Sequence, residues 1–130
     1  EYGFRVCAEE IDDAQLKRVF AARAVECADA AAQLVRIVES YGGQPAAGGT
    51  ASGAMHRGWV HVKGAVGANS RLSILEECER GEDTAVARYR KALKQMLPAG
   101  VREIVETQAR GAQRNHDQIR DLRNAERDAR

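Results

Sequence analysis

The chain has 130 residues, with 20 basic and 19 acidic side chains and a net charge of +1. Hydrophobic residues make up 44% and aromatic residues 5%, with only 2 prolines and 3 cysteines. This composition excludes collagen-like, disulfide-scaffold and fully disordered chains, and it favours helices over a β-sandwich or barrel. The balanced charge gives no reason to expect a nucleic acid or an anionic membrane as the partner.

The compartment and the domain organisation follow from similar arguments. An odd number of cysteines predicts no disulfide framework. No apolar run approaches the ~20 residues of a membrane span, and no signal-peptide pattern opens the chain. We therefore expect a cytoplasmic protein with no membrane partner. The length suits one domain over residues 1–130. Its first residues read as mid-helix without a cap, so we expect the N-terminal part of the first helix to precede Glu1.

Apolar spacing and helix-ending residues predict the first two helices. The first helix runs through about Ile11, and Asp12-Asp13 supplies the N-cap of the second. Gly42, Gly43 and Pro45 stop the second helix. The second helix is long, and its seam at steps of three and four residues comprises Leu16, Phe20, Arg23, Cys27, Ala31, Leu34, Val38 and Tyr41.

The remaining elements follow in the same way. Residues 44–53 predict a crossover loop, and a short helix follows over about residues 54–66. A third long helix spans about Arg71–Met96, with Met96 on its apolar face. The last helix has Pro98 in its first turn and frays into a charged tail at about residues 124–130.

Four long helices with a short helix in the middle crossover define the expected fold class. The sequence predicts an all-α, antiparallel four-helix bundle. The extra helix lies between bundle helices two and three, where a ferritin-like bundle has its long connection. The expected architecture is therefore a ferritin-like bundle.

Polar side chains on the apolar seams are the candidate functional residues. A bundle core builds metal sites from glutamates and Glu-x-x-His pairs one turn apart. Of such ligands the sequence offers Glu82 and His116, with Glu79 or Cys27 as additional candidates. A bundle-centre arginine would repel a divalent cation but would pair with a glutamate. The alternative interpretation is therefore a polar core network made of Arg23, Glu79, Glu82, Gln113 and His116.

The cysteines and the remaining histidines carry weaker hypotheses. Cys7, Cys27 and Cys78 fall on apolar faces of three helices, where cysteine usually fills the core. Cys27 and Cys78 are nevertheless candidate redox thiols. His56 and His61 are five residues apart, so they do not face one ion from the same side of a helix.

Three stretches resemble a known bacterial family. They are residues 54–59, which contain His-Arg-Gly-Trp, residues 77–83, which contain Glu-Arg-Gly-Glu-Asp, and His116 before Leu122-Arg123. Together they resemble the ferritin-like four-helix-bundle proteins grouped as domain of unknown function 2383. The resemblance implies a ferritin-like fold and a stress-related role, and it implies no activity.

More distantly, the chain is similar to the rubrerythrin branch of the ferritin-like superfamily. That similarity implies that Glu82 and His116 match metal ligands. Ala85 and Gln113 stand where further glutamates would be expected, and Ala24 and Cys27 replace both members of another ligand pair. These departures argue against a complete di-iron centre.

Three functional hypotheses follow from the sequence, and the weakest is a thiol-based redox sensor using Cys27 and Cys78. The first is a non-catalytic bundle without a cofactor, acting through a helix face as a homo-oligomer or a stress-associated adaptor. The second is an iron- or manganese-dependent oxidoreductase or iron-handling protein with an atypical site around Glu82 and His116.

Overall fold

The computed structural model describes residues 1–44 and 70–129. These residues form four helices: α1 (Tyr2–Glu10), α2 (Ala14–Ser40), α3 (Ser70–Leu93) and α4 (Ala99–Asp128). The described part of the chain contains no strand, and the predicted all-α, four-helix class is confirmed. The short helix predicted over residues 54–66 lies outside the described residues, as does nearly all of the predicted crossover loop. None of the described helices has the length and hydropathy to cross a membrane.

Helices α1 and α2 belong to the first of two units, residues 1–74, and pair in an antiparallel manner. The rings of Phe4 and Phe20 stack with their centroids 6.2 Å apart. Near the turn, Lys17 Nζ donates to the carbonyl oxygen of Ala8 at 3.0 Å. Since that carbonyl lies in the last turn of α1, the lysine compensates a group that the helix leaves unbonded.

The start of α2 is the one that the sequence predicts. Asp13 is the N-cap residue, and its Oδ1 accepts a hydrogen bond from the backbone N–H of Leu16 at 2.9 Å. Ile11 is extended, with φ −77° and ψ 141°, which separates α1 from α2. At the other end, Gly42 takes a φ of +78°, a left-handed conformation that glycine adopts without steric cost.

Burial along α2 is uneven. Its buried residues are Leu16, Phe20 and Ala24, all in the first half of the helix. From Val25 to Ser40 every residue is exposed or intermediate. The second half nevertheless carries the apolar side chains Val35 and Val38, followed by Tyr41 at the cap. The apolar seam therefore continues past the point where burial stops.

Helix α4 and residues 75–93 of α3 form an antiparallel pair in the second unit, residues 75–130. Tyr89 Oη donates to Gln108 Oε1 at 2.9 Å, and Arg127 Nη2 lies 3.6 Å from Glu76 Oε1 at the opposite end. The buried apolar residues of the unit are Leu75, Cys78, Val105, Ala112 and Ile119. These residues recur at three residues on α3 and at seven residues on α4, which is the spacing of one apolar face on a helix.

The connection between α3 and α4 corrects two predictions. Helix α3 ends at Leu93, so Met96 lies beyond it and is fully exposed, whereas the sequence predicts Met96 on the apolar face. Arg102 stabilises the earlier end by donating to the carbonyl oxygens of Leu93 and Gln95 at 3.0 and 2.7 Å. Pro98 precedes α4 as its N-cap residue, with ψ 148°, and does not lie in the first turn. Its extended backbone directs the chain into the new helix.

Candidate functional site

Three potential metal ligands come together between α3 and α4. Glu79 and Asp83 are four residues apart, so both lie on the same side of α3. From α4, His116 Nε2 lies 2.6 Å from Asp83 Oδ1 and 4.0 Å from Glu79 Oε1. One ligand atom from each of the three residues lies within 4.8 Å of the others. We refer to Glu79, Asp83 and His116 as the hairpin cluster.

The hairpin cluster has a shielded side and an open side. The side chains of Glu79 and His116 are 13% and 15% exposed. The side chain of Asp83 is 62% exposed. A small solute therefore reaches the cluster through Asp83, while Glu79 and His116 are held in a more restricted environment.

Asp117 fixes the orientation of the His116 ring. Asp117 Oδ1 lies 3.1 Å from His116 Nδ1 and accepts a hydrogen bond from Gln113 Nε2 at 2.9 Å. Arg120 Nη1 donates to the same oxygen at 3.4 Å. With Nδ1 engaged by its own helix, Nε2 is the ring nitrogen that faces α3.

The carboxylates around His116 change its proton affinity. Partial burial alone lowers the pKa of His116, but the hydrogen bonds and charges of Asp117 and Asp83 outweigh burial and raise that pKa above its ordinary value of 6.5. In turn, the hydrogen bond with His116 lowers the pKa of Asp117, with smaller contributions from Gln113 and Arg120.

A positive charge from α4 also contacts the hairpin cluster. The guanidinium of Arg123 donates from Nη1 to Oε2 of Glu79, while Glu79 Oε1 is the oxygen nearer to His116. The two oxygens of one carboxylate therefore face two different cationic or ligating groups. This pairing keeps the largely buried Glu79 carboxylate compensated.

The hairpin cluster differs from the ligand set that the sequence predicts. His116 and the additional candidate Glu79 are members, whereas the predicted ligand Glu82 is not. Glu82 is buried, with 5% of its surface exposed. Adjacent helical residues point about 100° apart, so Asp83 turns toward α4 and Glu82 does not share its direction. The i, i+4 spacing of Asp83 from Glu79 is the signal that could have identified Asp83.

The structure places the polar residues of the predicted core network in different parts of the chain. Glu79, Gln113 and His116 lie in one connected set of polar contacts, through Asp117 and the hairpin cluster. Arg23 is in the first unit, where its Nη1 donates to both carboxylate oxygens of Glu26 at 2.9 and 3.0 Å. The pairing of Arg23 with Glu82 stays a prediction.

The candidate redox thiols lie in different units. Cys27 is half-buried on α2, and Cys78 is fully buried on α3. Cys7 is likewise buried, and no disulfide joins these three described residues. A fully buried thiol is less accessible to oxidants than an exposed one, so the environment of Cys78 is that of a core residue.

Gln113 and Ala85 are the residues for which the rubrerythrin similarity would lead one to expect glutamates. The Gln113 amide donates to Asp117 and so acts as a hydrogen-bond donor. The Ala85 side chain provides no ligand atom. The hairpin cluster offers one imidazole and two carboxylates, which is a set for one ion.

The comparison with protein families identifies the group to which the chain belongs. The family described as Domain of unknown function (DUF2383) matches residues 1–95, and the chain belongs to this family. The matched range contains α1, α2 and α3 and ends before α4, which carries His116. A search of curated proteins finds no match.

Proposed function

We propose that this family member acts without catalysis, through a helix face that associates with a second copy of the chain. The observation that carries the proposal is the exposed apolar surface in the second half of α2. Val35, Val38 and Tyr41 are all exposed there. We refer to these three residues as the α2 stripe.

The α2 stripe continues the line of residues that forms the core of the first unit. Val38 follows Phe20 by about five helical turns, so the two side chains point in the same direction from the helix. Val35 and Tyr41 flank Val38 at three residues on either side. Phe20 is 0% exposed, whereas Val38 is 38% exposed. The same apolar face of α2 is therefore buried in the first half of the helix and exposed to solvent in the second half.

The size of the α2 stripe determines the kind of association that we expect. Stable protein interfaces bury at least about 1,200 Å² in total, and three side chains from each copy supply only part of such an area. A two-fold contact uses the same patch on both copies, which doubles the apolar area that one patch contributes. We therefore expect a reversible, concentration-dependent dimer.

The test is sedimentation equilibrium of the full chain at concentrations from about 1 μM to about 1 mM. We expect wild type to shift from monomer to dimer and Val38→Asp to remain monomeric, because an aspartate in the contact would bury an unpaired charge. Val25→Asp is the matched control, since Val25 is exposed on the same helix about 140° away from Val38. A wild-type chain that is monomeric throughout, or equal effects of both substitutions, contradicts the proposal.

A stress-associated adaptor would use the same surface toward a different protein. Its expected result is a wild-type monomer whose binding to that protein is weakened by Val38→Asp and not by Val25→Asp. The pair of variants therefore separates use of the α2 stripe from general effects of a new charge on α2.

The second candidate function is an iron- or manganese-dependent oxidoreductase or iron-handling protein with a site around Glu82 and His116. Its supporting observation is the environment of His116, which faces two carboxylates of α3. The test is metal analysis of protein produced with iron and manganese supplied. This candidate requires bound iron or manganese that is lost in both Glu82→Ala and His116→Ala, and metal-free wild type contradicts it.

A further inference from the structure

We propose that Glu79, Asp83 and His116, the hairpin cluster, bind one divalent transition-metal ion between α3 and α4. This inference does not depend on self-association through the α2 stripe. It also differs from a centre built on Glu82, since its third ligand is the exposed Asp83. The three ligand residues come from two helices that are consecutive in the chain, and all three lie in the second unit, residues 75–130.

The donor atoms suit such an ion. One imidazole nitrogen and two carboxylate oxygens form a ligand set that first-row metals such as Mn²⁺, Fe²⁺, Co²⁺ and Zn²⁺ accept. Metal–ligand bonds of about 2.0–2.2 Å place neighbouring donor atoms roughly 3 Å apart. The corresponding distances from His116 Nε2 are 2.6 Å to Asp83 Oδ1 and 4.0 Å to Glu79 Oε1. The ligand atoms of the three residues lie within 4.8 Å of one another, so movements of about 1–2 Å, which side-chain rotation supplies, convert this arrangement into a coordination shell.

The histidine already has the orientation that a metal ligand needs. Metal-binding histidines usually use one ring nitrogen for the metal while the other is held by a carboxylate, a carbonyl or water. Asp117 Oδ1 lies 3.1 Å from His116 Nδ1, and Gln113 holds Asp117 in turn at 2.9 Å. His116 Nε2 is thus presented to Glu79 and Asp83 by groups of α4 itself.

The exposure of Asp83 and the positive charge of Arg123 both affect how an ion would bind at the hairpin cluster. The 62% exposed side chain of Asp83 provides an entry for the ion and for the water molecules that fill its remaining coordination positions. Arg123 holds Glu79 Oε2, so it competes as a cation for the carboxylate that the metal needs. Arg123 therefore sets the affinity of the site without being a ligand.

The experiment uses the full chain freed of metal with a chelator and Co²⁺ as the probe, followed by calorimetry and by visible absorption. We expect one Co²⁺ per wild-type chain and at least tenfold weaker binding in Asp83→Asn. Because Asp83 is largely exposed, this variant is expected to retain its fold, which far-ultraviolet circular dichroism checks. His116→Ala is expected to lose binding as well.

Matched controls distinguish the hairpin cluster from other ligands of the chain. Glu82→Gln neutralises the neighbouring carboxylate, and His56→Ala removes a histidine elsewhere in the sequence. Both are expected to keep wild-type affinity for Co²⁺. No near-ultraviolet charge-transfer band of a cobalt–thiolate bond is expected. Arg123→Gln is expected to bind Co²⁺ several-fold more tightly, because the competing guanidinium is gone.

Each of several results would overturn the proposal. The first is that wild type does not bind Co²⁺ at about 1 mM. The second is that Asp83→Asn binds Co²⁺ with unchanged affinity, and the third is that Glu82→Gln or His56→Ala loses Co²⁺ binding. The fourth is the appearance of a cobalt–thiolate band. Weaker binding in Arg123→Gln would also contradict it. None of these results bears on the oligomeric state, so this inference and the α2-stripe proposal are tested separately.

Discussion

The surroundings of Phe20 in the first unit and of His116 in the second unit are two enclosed regions built on different principles. Phe20 is fully buried, and its ring stacks with that of Phe4. His116 is enclosed by charged groups, with Asp83 and Asp117 on its two ring nitrogens and Glu79 nearby. The first region is held by loss of apolar surface to water, the second by directional polar contacts.

The difference determines how each region responds to change. Apolar burial is non-directional and does not depend on protonation, so the Phe20 region is expected to be sensitive to lost volume alone. The His116 region combines three acidic groups with one titrating imidazole, so its contribution depends on pH and on competing cations. The two regions are therefore expected to respond differently to pH and to the loss of side-chain volume.

The largest expected effect is on the Phe20 side of the comparison. Phe20→Ala is expected to lower the free energy of unfolding by about 3–5 kcal/mol, because it removes a buried ring and leaves a cavity. Chemical denaturation followed by circular dichroism measures the change. Val38→Ala, on the same line of α2, is the control and is expected to cost less than about 1 kcal/mol in the monomer. Equal losses would show that the second half of α2 is as well packed as the first.

The first unit also contains a polar contact, the N-cap of α2, whose loss is expected to cost less than the loss of the Phe20 ring. Asp13→Ala removes the side-chain acceptor for the backbone N–H of Leu16 and is expected to cost about 1 kcal/mol. Asp12→Ala is the matched control, because Asp12 forms an exposed ion pair with Arg71 at 3.2 Å and does not cap the helix. The control is expected to change the unfolding free energy by less than about 0.5 kcal/mol. A larger loss in the control would mean that the ion pair, and not the cap, stabilises this turn.

The smallest expected effect is the pH dependence of the His116 region. Because the folded-state pKa of His116 is raised above 6.5, its contribution to stability is complete below that value and is lost as pH rises through the raised pKa. Metal-free wild type is therefore expected to lose stability relative to His116→Gln between about pH 6 and about pH 8.5. Denaturation at both pH values measures this difference. A difference that stays constant with pH, or that grows as pH rises, would contradict the assigned direction.

Titration to acid pH tests a second range of pH, in which the titrating group is Asp117. The hydrogen bond with His116 lowers the pKa of Asp117. The contribution of Asp117 to stability is therefore complete when the pH is above the ordinary pKa of an aspartate, and it is lost as the pH falls through the lowered pKa. Phe20→Ala should lower stability by the same amount across both windows, because a hydrocarbon ring does not titrate. This constancy distinguishes the two regions by experiment.

Much of the fold could be predicted from local sequence. Asp13 as the cap of α2 and Gly42 at its end follow from the preferences of aspartate and glycine for those positions. The end of α3 could not be predicted to the residue, because apolar periodicity alone extends the helix to Met96. The contact of Arg102 with the carbonyl oxygens of Leu93 and Gln95 joins residues from two elements, which periodicity does not represent.

The candidate site could be predicted only in part. His116 and Glu79 are identifiable as polar residues on apolar seams. The choice between Glu82 and Asp83 depends on the direction in which each side chain leaves α3 relative to α4. The side chains of neighbouring residues leave a helix in directions about 100° apart. Which of the two faces α4 depends on how α3 is rotated about its own axis relative to its partner helix.

The sequence by itself determined the all-α class, because spacing, caps and helix-ending residues act within a few positions of one another, and its match to the family over residues 1–95 determined the family. It also determined that the seams carry charged side chains. The tertiary structure alone decided which charges meet. The pairing of Asp83 with His116 and of Arg123 with Glu79 arises where two helices pack, and packing places residues far apart in sequence within hydrogen-bonding distance.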